Sequence, residues 1–460
     1  MKCLLNSTKM LSKSKYIRGL NCQKSLWLYV HKRDQQAISE EKQAVFARGT
    51  NVGELARQYF PYGKMAVLED YPGFKSAKRT QDFIEQGVET IYEATFVHED
   101  IIIAADILNK ENGKWYMYEV KSTNSTKPQH IDDIAIQYYV VKGESGFAPE
   151  DVFIMHFNRD YIKRGDINVK ELFIADSMIN QVLPLQDVIK DNLPLLFDIM
   201  NGEEPSIAMG KQCDAPYHCD FYDYCSSLIN NSTNNDEKVN LSSAPEIAEN
   251  EVKSFIKNVQ YPLYYLDFET IMPAIPLYDE SRPYQQIPFQ YSLHHQNTEK
   301  SELIHEYYLA ENNLYVDPRK ALIEQLIKQT KTAKTIFVYN IAFEQTRISE
   351  MGRDFPQYAN ELNLINQKLV DLIIPFRKKY YRTETMEGSS SIKKVLPALC
   401  PEFSYDELEI GNGMAASNSF LDLYYCDDEE IKKQIRDNLL KYCHLDTLAM
   451  VKLFEVLKKV

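Results

Sequence analysis

The chain has 460 residues, of which 44% are hydrophobic and 26% charged, and a formal net charge of −14; this is the composition of a globular protein too long for one ordinary core, so two or three domains are expected. No run approaches the roughly 18 to 20 uncharged residues a spanning helix needs, and no secretory leader pattern opens the chain, which excludes a membrane partner on this reading and assigns the protein to the cytoplasm. The negative charge argues against a uniformly basic nucleic-acid binder but leaves room for local basic stripes.

The first 33 residues are one such stripe, with eight Lys or Arg and no acid, and the run from Arg377 to Arg382, RKKYYR, is another. Residues 41–60 are expected to be helical. Residues 101–108 and 115–122 are β-rich runs joined by NKENGK, whose Asn-Gly pair predicts a tight turn. Residues 131–142 have helical spacing. From Ser226 to Ser254 the text is rich in Ser, Asn and Glu and short of aromatics, a linker composition. Strands follow at 261–270 and 335–340, and a long helix from about Asp428 to Val460. The chain is therefore divided into a module at 1–228, a linker at 229–258 and a module at 259–460. Each module mixes strands and helices, giving an α/β (α+β) fold class.

In the first module, Glu119 and Lys121 are two apart on a strand and share a face, and the Asn-Gly hairpin brings Asp106 beside them. Two carboxylates suit Mg²⁺, and a neighbouring lysine can orient or help deprotonate an attacking water. This combination resembles the RecB-like branch of the PD-(D/E)XK nucleases, restriction-endonuclease-like enzymes whose strands carry Asp and then Glu-x-Lys ahead of a helix with Gln. The matching positions are Asp106, Glu119, Lys121 and Gln137. The tyrosine expected four residues after the glutamine is Val141 here, with Tyr138 and Tyr139 nearby, and Glu54 resembles a further acidic metal position of that branch.

Disulfides are not expected of the eight cysteines, since the cytoplasm is reducing. Cys213, Cys219 and Cys225 are separated by five residues each, which suggests thiolates gathered on a metal or cluster. RecB-like nucleases of the CRISPR-adaptation and AddB type clasp a [4Fe-4S] cluster with one early and three late cysteines, so the resemblance implies Cys22 as the fourth ligand. Zinc is the alternative on ligand count alone.

In the second module, YLDFET sets Asp267 and Glu269 on one face at the end of an apolar strand, and Tyr442 and Asp446 are four apart on the last helix. The set resembles the DnaQ-like, RNase H-fold exonucleases of the DEDD group, tyrosine subtype. NIAFE supplies Asn340 and Glu344 where that group has Asn and Asp, with Asp371 as a substitute. The resemblance implies carboxylates holding two divalent ions, Mg²⁺ or Mn²⁺, about 4 Å apart while the tyrosine positions water. Ser391 and Lys393, in SSSIKKVLPAL, resemble a segment of a little-characterised family in which such a module follows a RecB-like one.

The expectation is a metal-dependent nuclease that hydrolyses phosphodiester bonds in nucleic acid, DNA ahead of RNA, by exonucleolytic action, in DNA repair or defence against foreign DNA. The alternative is a nucleic-acid-binding scaffold with one or both sites inactive. No G-x-S-x-G elbow or Walker phosphate loop supports other hydrolase or ATPase chemistry.

Overall fold

The computed structural model describes residues 10–38, 40–230, 244–311, 313, 315–405 and 408–460. Cys3 and the centre of the expected linker, residues 231–243, lie outside the described residues. The chain divides into two compact units, Met1–Asp236 and Glu237–Val460, and both mix helices with strands. Among the described residues, no helix is long and apolar enough to cross a membrane.

The first unit begins with β1 (Leu11–Ser12), α1 (Lys13–Asn21), α2 (Gln23–His31), α3 (Glu40–Arg57), β2 (Lys64–Met65) and α4 (Phe74–Glu85). Three long strands follow, β3 (Thr90–His98), β4 (Ile101–Glu111) and β5 (Lys114–Val120), then α5 (Pro128–Glu144) and β6 (Asp151–Phe157). The unit closes with α6 (Val169–Leu172), β7 (Phe173–Ser177), α7 (Ile179–Val182), α8 (Leu185–Asn201) and α9 (Tyr222–Asn230). The sheet runs β2-β3-β4-β5-β6-β7, with β1 also pairing β4. Asn112 and Gly113 both have positive φ, 50° and 79°, so the predicted two-residue turn forms between β4 and β5. That turn fixes the register at Ile107 opposite Tyr118, which makes Asp106 and Glu119 the next residues in line. The strand expected at 115–122 stops at Val120, where the Asp106 side chain takes over from the backbone ladder: its Oδ2 accepts the Val120 N–H at 2.6 Å. Proline at the first helical position suits the start of α5, and its buried Ile134, Ala135, Tyr138 and Val141 join the core of this unit.

The second unit begins with β8 (Glu246–Ile247) and α10 (Glu249–Lys257), followed by β9 (Leu263–Ile271), β10 (Ile287–Gln296) and β11 (Ile304–Leu309). Next come α11 (Arg319–Gln329), β12 (Thr335–Val338), α12 (Ile341–Asp354), α13 (Ala359–Asn366) and β13 (Leu369–Asp371). The last elements are α14 (Ile374–Arg377), β14 (Tyr381–Arg382), α15 (Ile392–Leu399), α16 (Gly413–Asp422) and α17 (Glu429–Leu457). The sheet order is β11-β10-β9-β12-β13, antiparallel through β11, β10 and β9 and parallel from β9 to β13. Part of the expected linker is therefore structured: β8 pairs with β14, and α10 buries Val252 in the core with Phe255 and Ile256 against it. Its three apolar residues form one helical face, a signal too short to stand out in a polar stretch.

β9 is covered on both faces. Tyr264, Leu266 and Phe268 join the core that contains residues of α11, α12 and α13, whereas Leu263, Tyr265 and Ile271 join the one that contains residues of α15, α16 and α17. Strand alternation then directs Asp267 and Glu269 to the α17 side. α17 starts where the sequence predicts, with Asp428 as its cap accepting the Glu430 and Ile431 N–H groups.

On the other face Arg319 of α11, 1% exposed, is held by Asp317 and, at 2.8 Å, by Asp354 at the end of α12. Asp354→Ala should leave a buried guanidinium half-paired and cost about 3 kcal/mol in urea denaturation; a loss below about 1 kcal/mol contradicts this role.

Candidate functional site

The second unit carries a cleft of about 240 Å³ lined by Asp267, Glu269, Tyr442, Asp446 and Lys393, among others. The end of β9 supplies the first two, α17 brings Tyr442 and Asp446 on one face, and the start of α15 contributes Lys393. The Tyr405 hydroxyl, itself buried, donates to Asp446 Oδ1 at 2.7 Å. Lys393 Nζ stands 5.6 Å from the ring centres of both Tyr405 and Tyr442 and donates to the Gly411 carbonyl. Cys443 reaches the same strand, with Sγ 4.0 Å from Asp267 Oδ2. One ligand atom each from Asp267, Glu269 and Cys443 lie within 4.8 Å of one another.

Glu344, in the first turn of α12, is buried and does not line the cleft, yet its charge reaches both Asp267 and Glu269. Its Oε2 has no hydrogen-bond partner. Asp371 has a local role: its Oδ1 accepts the Asn340 and Ile373 N–H groups, holding the left-handed turn at Asn340 that starts α12. Ser391 is the residue before α15 and does not line the cleft.

Three acids, Asp267, Glu269 and Asp446, thus line the cleft with Lys393 as its lining cation, a formal imbalance of −2, and Glu344 is a fourth buried acid, whose charge Arg347 opposes. Burial is the largest influence on each and disfavours the charged form. The carboxyls of Asp267 and Glu269 are pushed far up, with Asp446 the next cause in both. Glu344 is pushed up to about 8. Asp446 is raised by burial only to about 6, because Tyr405, Lys393 and Tyr442 favour its anion.

The first unit gathers Asp106, Glu119, Lys121 and Gln137 as the sequence predicts. Glu119 is 2% exposed and accepts from Gln137 Nε2, Lys121 Nζ and Lys13 Nζ, each at 2.7 Å. Lys121 also binds Asp133, and Lys13 lies 3.8 Å from the same carboxylate. A pocket of about 290 Å³ is lined by Asp106, Glu119, Glu93 and Arg57 together with Gly49 and Gly53. Glu93 is salt-bridged to Arg57 at 3.0 Å. Here four acids, Glu93, Asp106, Glu119 and Asp133, face Lys13, Arg57 and Lys121, a formal imbalance of −1. Burial and the Glu119 charge raise Asp106 to about 8. Burial alone would raise Glu119, but Lys121 and Lys13 outweigh it and hold it low. Burial alone would likewise lower Lys121, but Glu119 and Asp133 hold it above its ordinary value. Lys121 is thus held as a cation, which favours the orienting role over the proton-accepting one.

One expectation is corrected. Glu54 is exposed and does not line the pocket; one face of α3 presents Gly49, Gly53 and Arg57 instead, and Glu93 of β3 supplies the extra acid. Neither tyrosine of α5 turns to the site: Tyr138 is in the core, and Tyr139 donates to Glu99 at 2.7 Å. Reasoning from sequence missed Lys13, Glu93 and Asp133 here and Tyr405 and Cys443 in the second unit. Asp133 carried a readable signal, since it lies four residues before Gln137 on the same helical face.

Cys22, Cys213, Cys219 and Cys225 line one pocket, as expected. Cys22 sits in the extended break between α1 and α2, the Cys219 N–H bonds the Cys213 carbonyl, and Cys225 is on α9. Lys24 shares the pocket, and the thiols are close enough to raise one another, although burial is the larger cause for Cys22 and Cys225.

The four raised carboxyls of the second unit set a stability profile. In the folded chain they bind protons that the unfolded chain, with ordinary values of about 4, has released. Their contribution is complete below about pH 4 and is lost as pH rises through about 6 and 8. In EDTA, Asp267→Asn should therefore gain stability over the parent as pH rises from 5 to 8, on the order of 2 kcal/mol by thermal denaturation. An unchanged or shrinking difference contradicts the electrostatic account.

Residues 264–391 match the family described as "Domain of unknown function (DUF2779)". This span contains Asp267, Glu269 and Glu344 and leaves out Tyr442, Asp446 and the entire first unit. The chain is 30% identical over 224 residues to "Uncharacterized protein MG366 homolog" of Mycoplasma pneumoniae, covering 44% of this chain and 33% of that protein. It is 29% identical over 221 residues to "Uncharacterized protein MG366" of Mycoplasma genitalium, with coverage of 44% and 33%. To "Uncharacterized protein UU173" of Ureaplasma parvum it is 28% identical over 220 residues, with coverage of 42% and 31%. The chain spans about a third of the length of the curated relatives it matches.

Proposed function

We propose that this protein is a metal-dependent nuclease of the cytoplasm that hydrolyses phosphodiester bonds, with DNA its substrate ahead of RNA as the RecB-like and DnaQ-like resemblances imply. The observation that carries the reading is the convergence of Asp267, Glu269 and Asp446 with Tyr442 on one cleft whose negative charge is largely unbalanced. The carboxylates of Asp267, Glu269 and Asp446, hard oxygen donors lining one cleft, fit Mg²⁺ or Mn²⁺, and burial pushes the neighbouring Cys443 thiol up and so disfavours its thiolate. When bound, such an ion supplies charge neutralisation at phosphorus and a more acidic water. The chain does the rest. Tyr405 fixes the rotamer of Asp446, the Tyr442 hydroxyl orients the attacking water, and Lys393 offers a positive charge in the cleft for a phosphoryl oxygen. In the first unit, Glu119, clamped by Gln137 and two lysines, and Asp106 form the ligand edge, with Lys121 a fixed cation facing the phosphate.

The four cysteines line one pocket, as one early and three late ligands of a [4Fe-4S] cluster would in the RecB-like resemblance, with zinc the alternative on ligand count. Anaerobically purified protein should be brown, with an absorbance shoulder that Cys219→Ser removes; stoichiometric zinc without iron contradicts the cluster.

Nuclease action is tested with end-labelled single- and double-stranded DNA and RNA in Mg²⁺, Mn²⁺ or EDTA. Lys121→Ala and Asp267→Ala should each abolish one component of a metal-dependent degradation, by at least about 100-fold. Unchanged degradation in both variants rejects the assignment. Binding without cleavage would favour the scaffold alternative, to which the position of Glu344 outside the cleft lends weight.

A further inference from the structure

A second cluster of metal-binding side chains lies in the second unit, outside the lining of the carboxylate cleft. His294 of β10 and His305 of β11 are direct cross-strand partners, so their rings share a face. α17 brings His444 onto both of them. The ring centres are 4.4 Å apart for His294 and His305, 4.8 Å for His294 and His444 and 4.3 Å for His305 and His444, and one ring nitrogen from each lies within 4.8 Å of the others.

A ligand-like back side accompanies this geometry. His294 Nδ1 is 2.8 Å from Thr447 Oγ1, His305 Nε2 is 2.9 Å from Ser292 Oγ, and these two hydroxyls are themselves 2.6 Å apart. One hydroxyl pair therefore orients both rings from behind and leaves the second nitrogen of each for an ion, the arrangement in which ligating histidines are commonly held. His294 is 2% exposed, whereas His305 and His444 are half-buried, so the cluster has a closed floor and an open side.

We infer that His294, His305 and His444 bind a transition-metal ion of the imidazole-preferring class, Zn²⁺ first, with the fourth position open to water. A tetrahedral ion with bonds of about 2.0–2.1 Å needs its nitrogens about 3.4 Å apart, which small rotations about the soft χ2 torsions provide. An all-nitrogen neutral donor set prefers zinc, copper or nickel to magnesium, so this site and the carboxylate cleft sort different ions. The ion would join β10 and β11 to α17, the helix that carries Tyr442 and Asp446. It thus acts as a staple on the element that completes the cleft.

The test uses the full chain, stripped with a chelator and dialysed against Co²⁺ or Zn²⁺ in excess Mg²⁺, for the parent, His305→Ala and His444→Gln. Each variant should bind one equivalent fewer of Co²⁺, with the iron content and the iron–sulfur absorbance of the protein unchanged. That pattern distinguishes the histidines from the cysteine pocket. Zn²⁺ should raise the unfolding temperature of the parent more than that of either variant, both of which must match the parent in circular dichroism in EDTA. Should His305→Ala not fold, the half-exposed His444→Gln decides alone. Equal stoichiometry and an equal zinc-dependent rise in parent and variants overturn the proposal and leave three imidazoles packed against Ser292 and Thr447.

Discussion

The constraint on which the second unit turns is the burial of four carboxyl groups around the end of one strand. β9 is apolar on both faces until Asp267, and from there its α17-facing positions become acidic. Bringing Asp446 and Glu344 to the same region adds repulsion in a poorly solvated place, which no stable core would assemble for its own sake. The surroundings answer it in part: Tyr405 donates to Asp446, and Lys393 lines the cleft. The remaining deficit is what a divalent ion would meet, so the same feature that weakens the metal-free chain is the basis for its proposed chemistry.

The first unit meets a similar gathering of acids differently. Lys13 and Lys121 both grip Glu119, and Arg57 pairs Glu93, so the charge is nearly balanced by the protein itself. Its carboxylate edge is accordingly quieter, and its lysines read as fixed charges rather than as proton carriers. The two sites differ in electrostatic design although both are built on a strand-end carboxylate.

What was legible in the sequence is what depends on local periodicity. The alternation in YLDFET, the Asn-Gly turn and the four-residue spacing of Tyr442 and Asp446 each fixed a direction that the fold keeps. What was not legible came from distant chain or from helical phase. Lys13 reaches Glu119 across 106 residues and Tyr405 reaches Asp446 across 41. Glu54 failed because a rotation of one residue on α3 moves a side chain by about 100°, enough to turn it from the pocket to solvent. α10 was hidden because its short apolar face lies inside a polar stretch, and the buried β10, whose Ser292 and His294 face α17, gave no alternating signal.

The most direct test of the central claim is a crystal grown with Mn²⁺ and measured for anomalous scattering. The account predicts manganese between Asp267, Glu269 and Asp446, and a weaker peak beside Asp106 and Glu119. Ordered manganese elsewhere on the chain, with none at the end of β9, would contradict it.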